Sequence, residues 1–267
     1  MKRKPAVAGQ FYHGTSARLN EQVAQYIHVD VQKETVVGVM SPHAGLIYSG
    51  PVAGEVFSSI KMPQTFIMLG PNHTGLGPAI SLMDTGEWEI PTGLFGIDSK
   101  LASKIALNSD KVSRDAQAHL FEHSLEVQLP FIAYFSTEVK IVPIALRSAT
   151  YEDCIDLANA IAEAVRGVDY PVVILASSDM SHYLPEKQAR RMDAMAIEKI
   201  LALDPSGLYE TVRKERISMC GYLPATVMIE ASKLLGADSA RLIKYATSGE
   251  VSGDFDSVVG YAGIVVK

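Results

Sequence analysis

Three short apolar runs stop at turn-forming residues, and each is followed within a few positions by a histidine. The stretch 36–40 (VVGVM) breaks at Ser41-Pro42, with His43 next; 65–69 (TFIML) breaks at Gly70-Pro71-Asn72, with His73 next. The third, 172–176 (VVILA), gives way to Ser177-Ser178-Asp179-Met180-Ser181-His182. Runs of this length, rich in β-branched residues and bounded by turn residues, read as strands buried on both faces. Segments of helical spacing lie between them, so the expected class is α/β, with a mainly parallel sheet covered on both sides. Binding sites in open sheets of this kind collect at the carboxyl ends of the strands, where these polar residues fall.

The remaining elements follow from punctuation and periodicity. Thr15/Ser16 opens a helix to about Ile27, and Gly50-Pro51 opens another, Pro51 suiting a first-turn position. Residues 79–83 and 88–97 read as strands, and Asp98 as the cap of a helix to Leu107. The segment 119–135 (HLFEHSLEVQLPFIAYF) reads as a helix that Pro130 kinks or divides. Then come a strand at 140–146, helices at 151–165, 186–201, 205–214 and 224–235, and strands at 241–247 and 258–266. No repeat or linker interrupts the order, and one domain over 1–267 is expected.

Composition narrows the function classes. A formal net charge of −6 with scattered basic residues disfavours direct nucleic-acid binding. The chain has only two cysteines, Cys154 and Cys220, too few for a disulfide framework at this length, so a reducing cytoplasm is the expected compartment. MKRKPAVAG carries no apolar stretch of the kind a secretory signal requires, and no run approaches the ~20 residues of a membrane span.

One histidine after a strand most often bonds its own loop. Two in matching strand-end positions, His43 and His73, raise the prospect of a shared ion, because neighbouring strand ends lie ~5 Å apart and imidazole suits zinc, iron, copper and nickel. Asp179 and His182 after the third strand read either as a helix cap or as an orienting carboxylate with an acid/base histidine. Cys220, just before Gly221 and a helix start, is either a small buried residue or a thiolate ligand. Glu122, His123 and Glu126 read from spacing alone either as half of a carboxylate site or as an acidic helix face, the commoner case. Ser177 and Ser178 look like ordinary loop serines. Phosphate-loop, dinucleotide-fingerprint and nucleophile-elbow motifs are absent from the sequence.

Taken together, PAVAGQFY, SPHAGLIYSG, LGPNHTG, EHSLEVQLPF, SSDMSH and MCGYLPA, in that order from Pro5 onward, resemble the Memo family, which includes protein B of the AmmeMemoRadiSam system. His13 stands where that family commonly has proline. The resemblance implies a fold similar to the LigB subunit of class III extradiol dioxygenases, a three-layer α/β/α sandwich with a mainly parallel or mixed central sheet. It also implies His43, His73 and Cys220 as metal ligands, Cys220 replacing the dioxygenase carboxylate. His182 would be the acid/base residue with Asp179 orienting it, and Glu122 and His123 would line the pocket. Iron (Fe2+) is the implied metal, with copper or zinc as alternatives, since thiolate in place of carboxylate softens the site. The expected chemistry is redox or oxygen-linked, on an unknown small molecule or peptide. A zinc-dependent hydrolase, or an adaptor using the inherited cleft, are the other readings. Association with AMMECR-type and radical-SAM proteins is implied by the system's name alone.

Overall fold

The computed structural model describes residues 1–267. In chain order the strands are β1 (Lys2–Arg3), β2 (Gly38–Ser41), β3 (Thr65–Pro71), β4 (Ile80–Leu82), β5 (Glu87–Ile90), β6 (Gly93–Gly96), β7 (Ser113–Arg114), β8 (Lys140–Leu146), β9 (Val172–Ser177), β10 (His182–Leu184), β11 (Ala240–Thr247) and β12 (Val258–Val266). The longer helices are α1 (Ser16–Ala24), α2 (Leu46–Ser59), α3 (Ser99–Leu107), α4 (Leu129–Phe135), α5 (Tyr151–Arg166), α6 (Glu186–Leu201), α7 (Pro205–Lys214) and α8 (Tyr222–Leu234).

Nine strands form one mixed sheet in the order β10-β12-β2-β9-β3-β8-β4-β7, with β11 also paired to β12. Its centre, β2-β9-β3-β8, is parallel throughout. These are the continuous apolar runs, and nearly every residue in them is buried. The antiparallel members lie outside this quartet, β12 beyond β2 and β4 beyond β8. One expectation fails here: the strands carrying His43 and His73 are not neighbours. β9 lies between them, Ser41 opposite Ser177 on one side and Leu69 opposite Ala176 on the other.

Two glycines report how closely the helices sit on the sheet. A Cβ at Gly38 would lie 2.7 Å from the Met228 sulfur of α8, and one at Gly263 would lie 2.5 Å from Val56 of α2. Gly38 pairs with Val266, and Val266 and Gly263 lie an odd number of positions apart on β12, so the two glycines face opposite sides. α8 therefore covers one face and α2 the other, which makes the sandwich three-layered. α5 packs against α8. Helix starts follow the caps: Asp98 accepts from the Leu101 N–H, and Thr150 with Asp153 forms a capping box. No helix is long and apolar enough to cross a membrane.

Two local expectations are corrected. α2 begins at Leu46, not at Gly50-Pro51, so Pro51 lies inside it. The earlier start is held by the Leu46 N–H, which donates to the Phe11 carbonyl at 2.8 Å. Residues 119–135 are not one helix: two short 3-10 turns, Gln117–His119 and Glu126–Gln128, precede α4, with Pro130 in its first turn.

The cause of the second break is a buried ion pair that ties the N-terminus to this segment. Arg3 and Glu126 are both without solvent exposure and bond to one another. The Arg3 guanidinium also donates to the carbonyls of His119 (2.7 Å) and Glu122 (2.6 Å) and lies over the Trp88 ring. The Glu126 carboxylate accepts from the Ala6 and Val7 N–H groups and the Tyr12 hydroxyl. The carbonyls at 119 and 122 accept from Arg3 and from no N–H four residues on. Removing one member of a buried pair strands the other. Glu126→Ala should therefore lower unfolding free energy by about 3–5 kcal/mol, read by urea titration; a loss below ~1 kcal/mol, the worth of an exposed pair, would contradict this account.

Candidate metal centre

Three of the four central strands, β2, β9 and β3, deliver side chains to the same rim. After β2, Pro42 turns the chain and His43 is buried, with 2% exposure. Its backbone N–H donates to Asp179 Oδ1 at 2.8 Å, and the Ala44 N–H donates to the same oxygen at 3.3 Å. The His43 ring has Nδ1 2.9 Å from Ser177 Oγ and Nε2 3.3 Å from Cys220 Sγ. Ser177 ends β9 and Asp179 follows it, so the strand between the two histidines holds the first of them from both backbone and ring.

His73 is held by Glu122. The His73 backbone N–H donates to Glu122 Oε2, and the ring Nδ1 lies 2.9 Å from Oε1. An ionised carboxylate only accepts, so Nδ1 carries a proton, and in the neutral ring Nε2 keeps a free lone pair. The His123 and Ser124 N–H groups each donate to Oε1 at 2.9 Å, and His123 Nδ1 lies 3.4 Å from it. One buried carboxylate thus orients the His73 ring and holds the backbone of His123. His43, His73 and His123 each offer a ligand atom, and these atoms lie within 4.8 Å of one another. Ring centroids are 5.4 Å apart for His43–His73, 5.5 Å for His43–His123 and 4.7 Å for His73–His123. Side-chain exposure rises from buried His43 to 22% for His123 and 36% for His73, so the cluster opens toward solvent on the His73 side. Phe11 packs on His123 at 4.8 Å between centroids.

Burial, then the positive fields of the neighbouring rings, hold the His43 pKa well below its ordinary value, and burial lowers that of His123. Both rings are therefore neutral and ligand-competent at pH 7. At His73 burial also disfavours the cation, but the hydrogen bond and charge of Glu122 prevail and its pKa is raised. Burial opposes ionisation of Glu122, yet the bond and charge of His73 and the backbone donors bring its pKa down to about 2. That depression favours the anion by roughly 3 kcal/mol. Its sign makes this contribution present above the usual carboxylate range and lost as pH falls toward 2.

Cys220, just ahead of α8, has its sulfur against His43 Nε2 but outside the mutually close set of ligand atoms. The Asp179 backbone N–H donates to this sulfur at 3.3 Å. Burial, with the nearby Asp179 charge, pushes the thiol pKa up, and burial raises that of Asp179. His182 lies further out: its Nδ1 is 2.8 Å from the Ser218 carbonyl, and its backbone N–H donates to Ser218 Oγ. A carbonyl only accepts, so the His182 Nδ1 carries a hydrogen. The group that orients this ring is thus Ser218, whereas Asp179 holds the His43 backbone and the Cys220 sulfur.

Spacing alone did not single out His123, whose segment read as an acidic helix face; the broken helix turns it in beside His73. Ser177 and Ser218 carried no local signal. Only the parallel register of β9 against β2 puts Ser177 under His43.

Comparisons with known proteins bear on the family and the fold. A family model described as Memo-like protein matches residues 3–265. A MEMO1 family protein of Methanosarcina barkeri is 42% identical over 267 residues, covering 99% of this chain and all of that protein. Another, from Methanothermobacter thermautotrophicus, is 40% identical over 274 residues, covering 98% of this chain and 99% of its own length. Among solved structures, an uncharacterized protein of Escherichia coli K12 superposes with a TM-score of 0.59 at 14% identity, covering 86% of this chain and 99% of that one. That last likeness concerns the fold alone.

The Glu122–His73 bond has a titratable signature. In the metal-free protein His73 should titrate above its ordinary 6.5. Glu122→Gln removes the charge and leaves burial unopposed, so the midpoint should fall below 6.5. Histidine NMR titration measures both, and equal midpoints would refute the assignment.

Proposed function

The chain belongs to the Memo-like protein family, and from that premise we propose that it is a metalloprotein with a non-haem iron site, acting in redox or oxygen-linked chemistry on a small substrate. The observation that carries this reading is the convergence of three imidazole ligand atoms within 4.8 Å, delivered by three separate loops. Donors sharing one ion at ~2.1 Å in a tetrahedral array are about 3.4 Å apart, so modest inward rotation of the rings would seat it. The chemistry of the donor set fits as well. His43 and His123 are kept neutral by their surroundings, and the outer nitrogen of His73 is hydrogen-bonded to a carboxylate, an arrangement common around metal-ligating histidines.

His43 and His73 would hold the metal, with Cys220 and His123 as the adjoining donors. The Cys220 sulfur lies at 3.3 Å from His43 Nε2, close to the separation of two donors on one ion. A bound Fe(II) would supply redox and Lewis-acid chemistry with open positions for substrate. The chain's own residues supply the rest. Glu122 fixes the His73 ring and the backbone of His123, and Asp179 anchors the His43 turn and the sulfur. His182, with Nδ1–H committed to Ser218, presents Nε2 as a proton acceptor. Phe11 closes an apolar wall beside His123.

Copper is the alternative within this chemistry, favoured by the soft sulfur. Three imidazoles also match a donor set used by catalytic zinc, and this supports the second reading, a zinc-dependent hydrolase with His182 as base.

Anaerobic titration of the metal-free protein with Fe(II), and with Co(II) as an optical probe, tests the proposal. One ion per chain is expected, with loss of binding when His43, His73 and His123 are all replaced by Ala. In Cys220→Ser the thiolate charge-transfer band of the Co(II) form should disappear. Retained binding in the triple variant would remove the site, and a band that survives would remove the sulfur from it. Redox chemistry should require a redox-active metal, whereas activity that persists with zinc and without oxygen would favour the hydrolase.

A further inference from the structure

Ser177 lies at the junction of three groups whose hydrogen-bonding roles can be assigned by elimination. Its Oγ is 2.6 Å from the Ser124 carbonyl, 2.9 Å from Gln128 Nε2 and 2.9 Å from His43 Nδ1. A carbonyl oxygen only accepts, so the single hydroxyl proton of Ser177 points to Ser124. The Gln128 amide is oriented by its other neighbours: the same nitrogen faces the Pro42 carbonyl at 2.9 Å and the Ser41 carbonyl at 3.4 Å. Exchanging its nitrogen and oxygen would set lone pair against lone pair, so the amide donates to Ser177. The serine oxygen has then used its proton and accepts from the third partner. That partner, His43 Nδ1, must carry a hydrogen.

Ser124, Gln128 and Ser177 have no solvent exposure, and His43 has almost none, so bulk water does not replace any member of this set. We propose that Ser177 is a positioning residue that holds His43 as the Nδ1–H tautomer and thereby keeps Nε2 bare toward Cys220 and the other two rings. The proposal rests on the metal-centre reading above for its purpose, but the proton assignment stands on the hydrogen bonds alone. The consequence is an outer-nitrogen restraint on each of two ligand rings, by a carboxylate at His73 and by a neutral hydroxyl at His43. The hydroxyl is itself locked by the segment that bears His123, since its proton goes to the Ser124 carbonyl. Ser177 thus couples the β2 histidine to the loop of the third imidazole, across the strand that separates β2 from β3.

The test begins with the unsubstituted, metal-free protein. Long-range proton–nitrogen NMR should show His43 with a pyrrole-type Nδ1 and a pyridine-type Nε2; the reverse assignment overturns the proposal whatever any variant does. In Ser177→Ala the His43 signals should move away from the pure Nδ1–H pattern. Co(II) and Zn(II) affinity should fall by about 10- to 100-fold, the usual cost of losing a partner of a ligating histidine. Ser177→Thr, which keeps the hydroxyl, should restore the tautomer and most of the affinity. An alanine variant with unaltered His43 signals and unaltered affinity overturns the proposal. If the unsubstituted protein takes up neither metal, the metal-centre reading fails, and the tautomer measurement still decides the role of Ser177.

Discussion

The position of β9 between β2 and β3 is the constraint on which the rest of the molecule depends. Parallel pairing sets Ser41 opposite Ser177 and Leu69 opposite Ala176, so three apolar strands end in register at one edge. Beyond that edge the chain can no longer satisfy its polar groups through the ladder, and loops and side chains take over. The groups that do so are the residues of the site: Asp179 for the amides of His43 and Ala44, Ser177 for the His43 ring, and the Asp179 amide for the Cys220 sulfur. Backbone satisfaction and site construction are here the same set of bonds.

The second organising group is Glu122. A buried carboxylate is costly unless it is hydrogen-bonded and paired. Three backbone N–H groups and the His73 ring meet that need. Its backbone carbonyl is meanwhile held by Arg3, so the N-terminal strand, through a pair with no solvent exposure, sets the conformation of a loop that carries two of the site's residues. Stability of the N-terminal segment and geometry of the imidazole cluster are therefore linked through a few buried polar contacts, which tolerate the loss of a single member poorly.

Much of the fold could be read from the chain. The bounds of β9, α6, α7 and β12 follow from apolar runs and turn residues, and the strand-end positions of His43, His73 and Asp179 follow from the same signal. Errors arose where a long-range partner overrode local pattern. Pro51 sits inside α2 because the Phe11 carbonyl, distant in sequence, holds the earlier start. The segment 119–135 departs from helical spacing where its carbonyls at 119 and 122 turn to Arg3. The two histidine strands are separated by β9, which no local pattern signals because strand order is not a local property.

By itself the sequence determined an α/β chain of buried strands alternating with helices, and which side chains would stand at the strand ends, because hydrophobic periodicity and turn chemistry are local. Only the tertiary structure decided that β9 intervenes between β2 and β3, that His123 turns in beside His73, and that Ser177 and Ser218, outwardly ordinary loop serines, each hold a histidine ring. Those outcomes depend on strand order, register and the pairing of groups 36 to 134 residues apart, and no short window along the chain contains both partners.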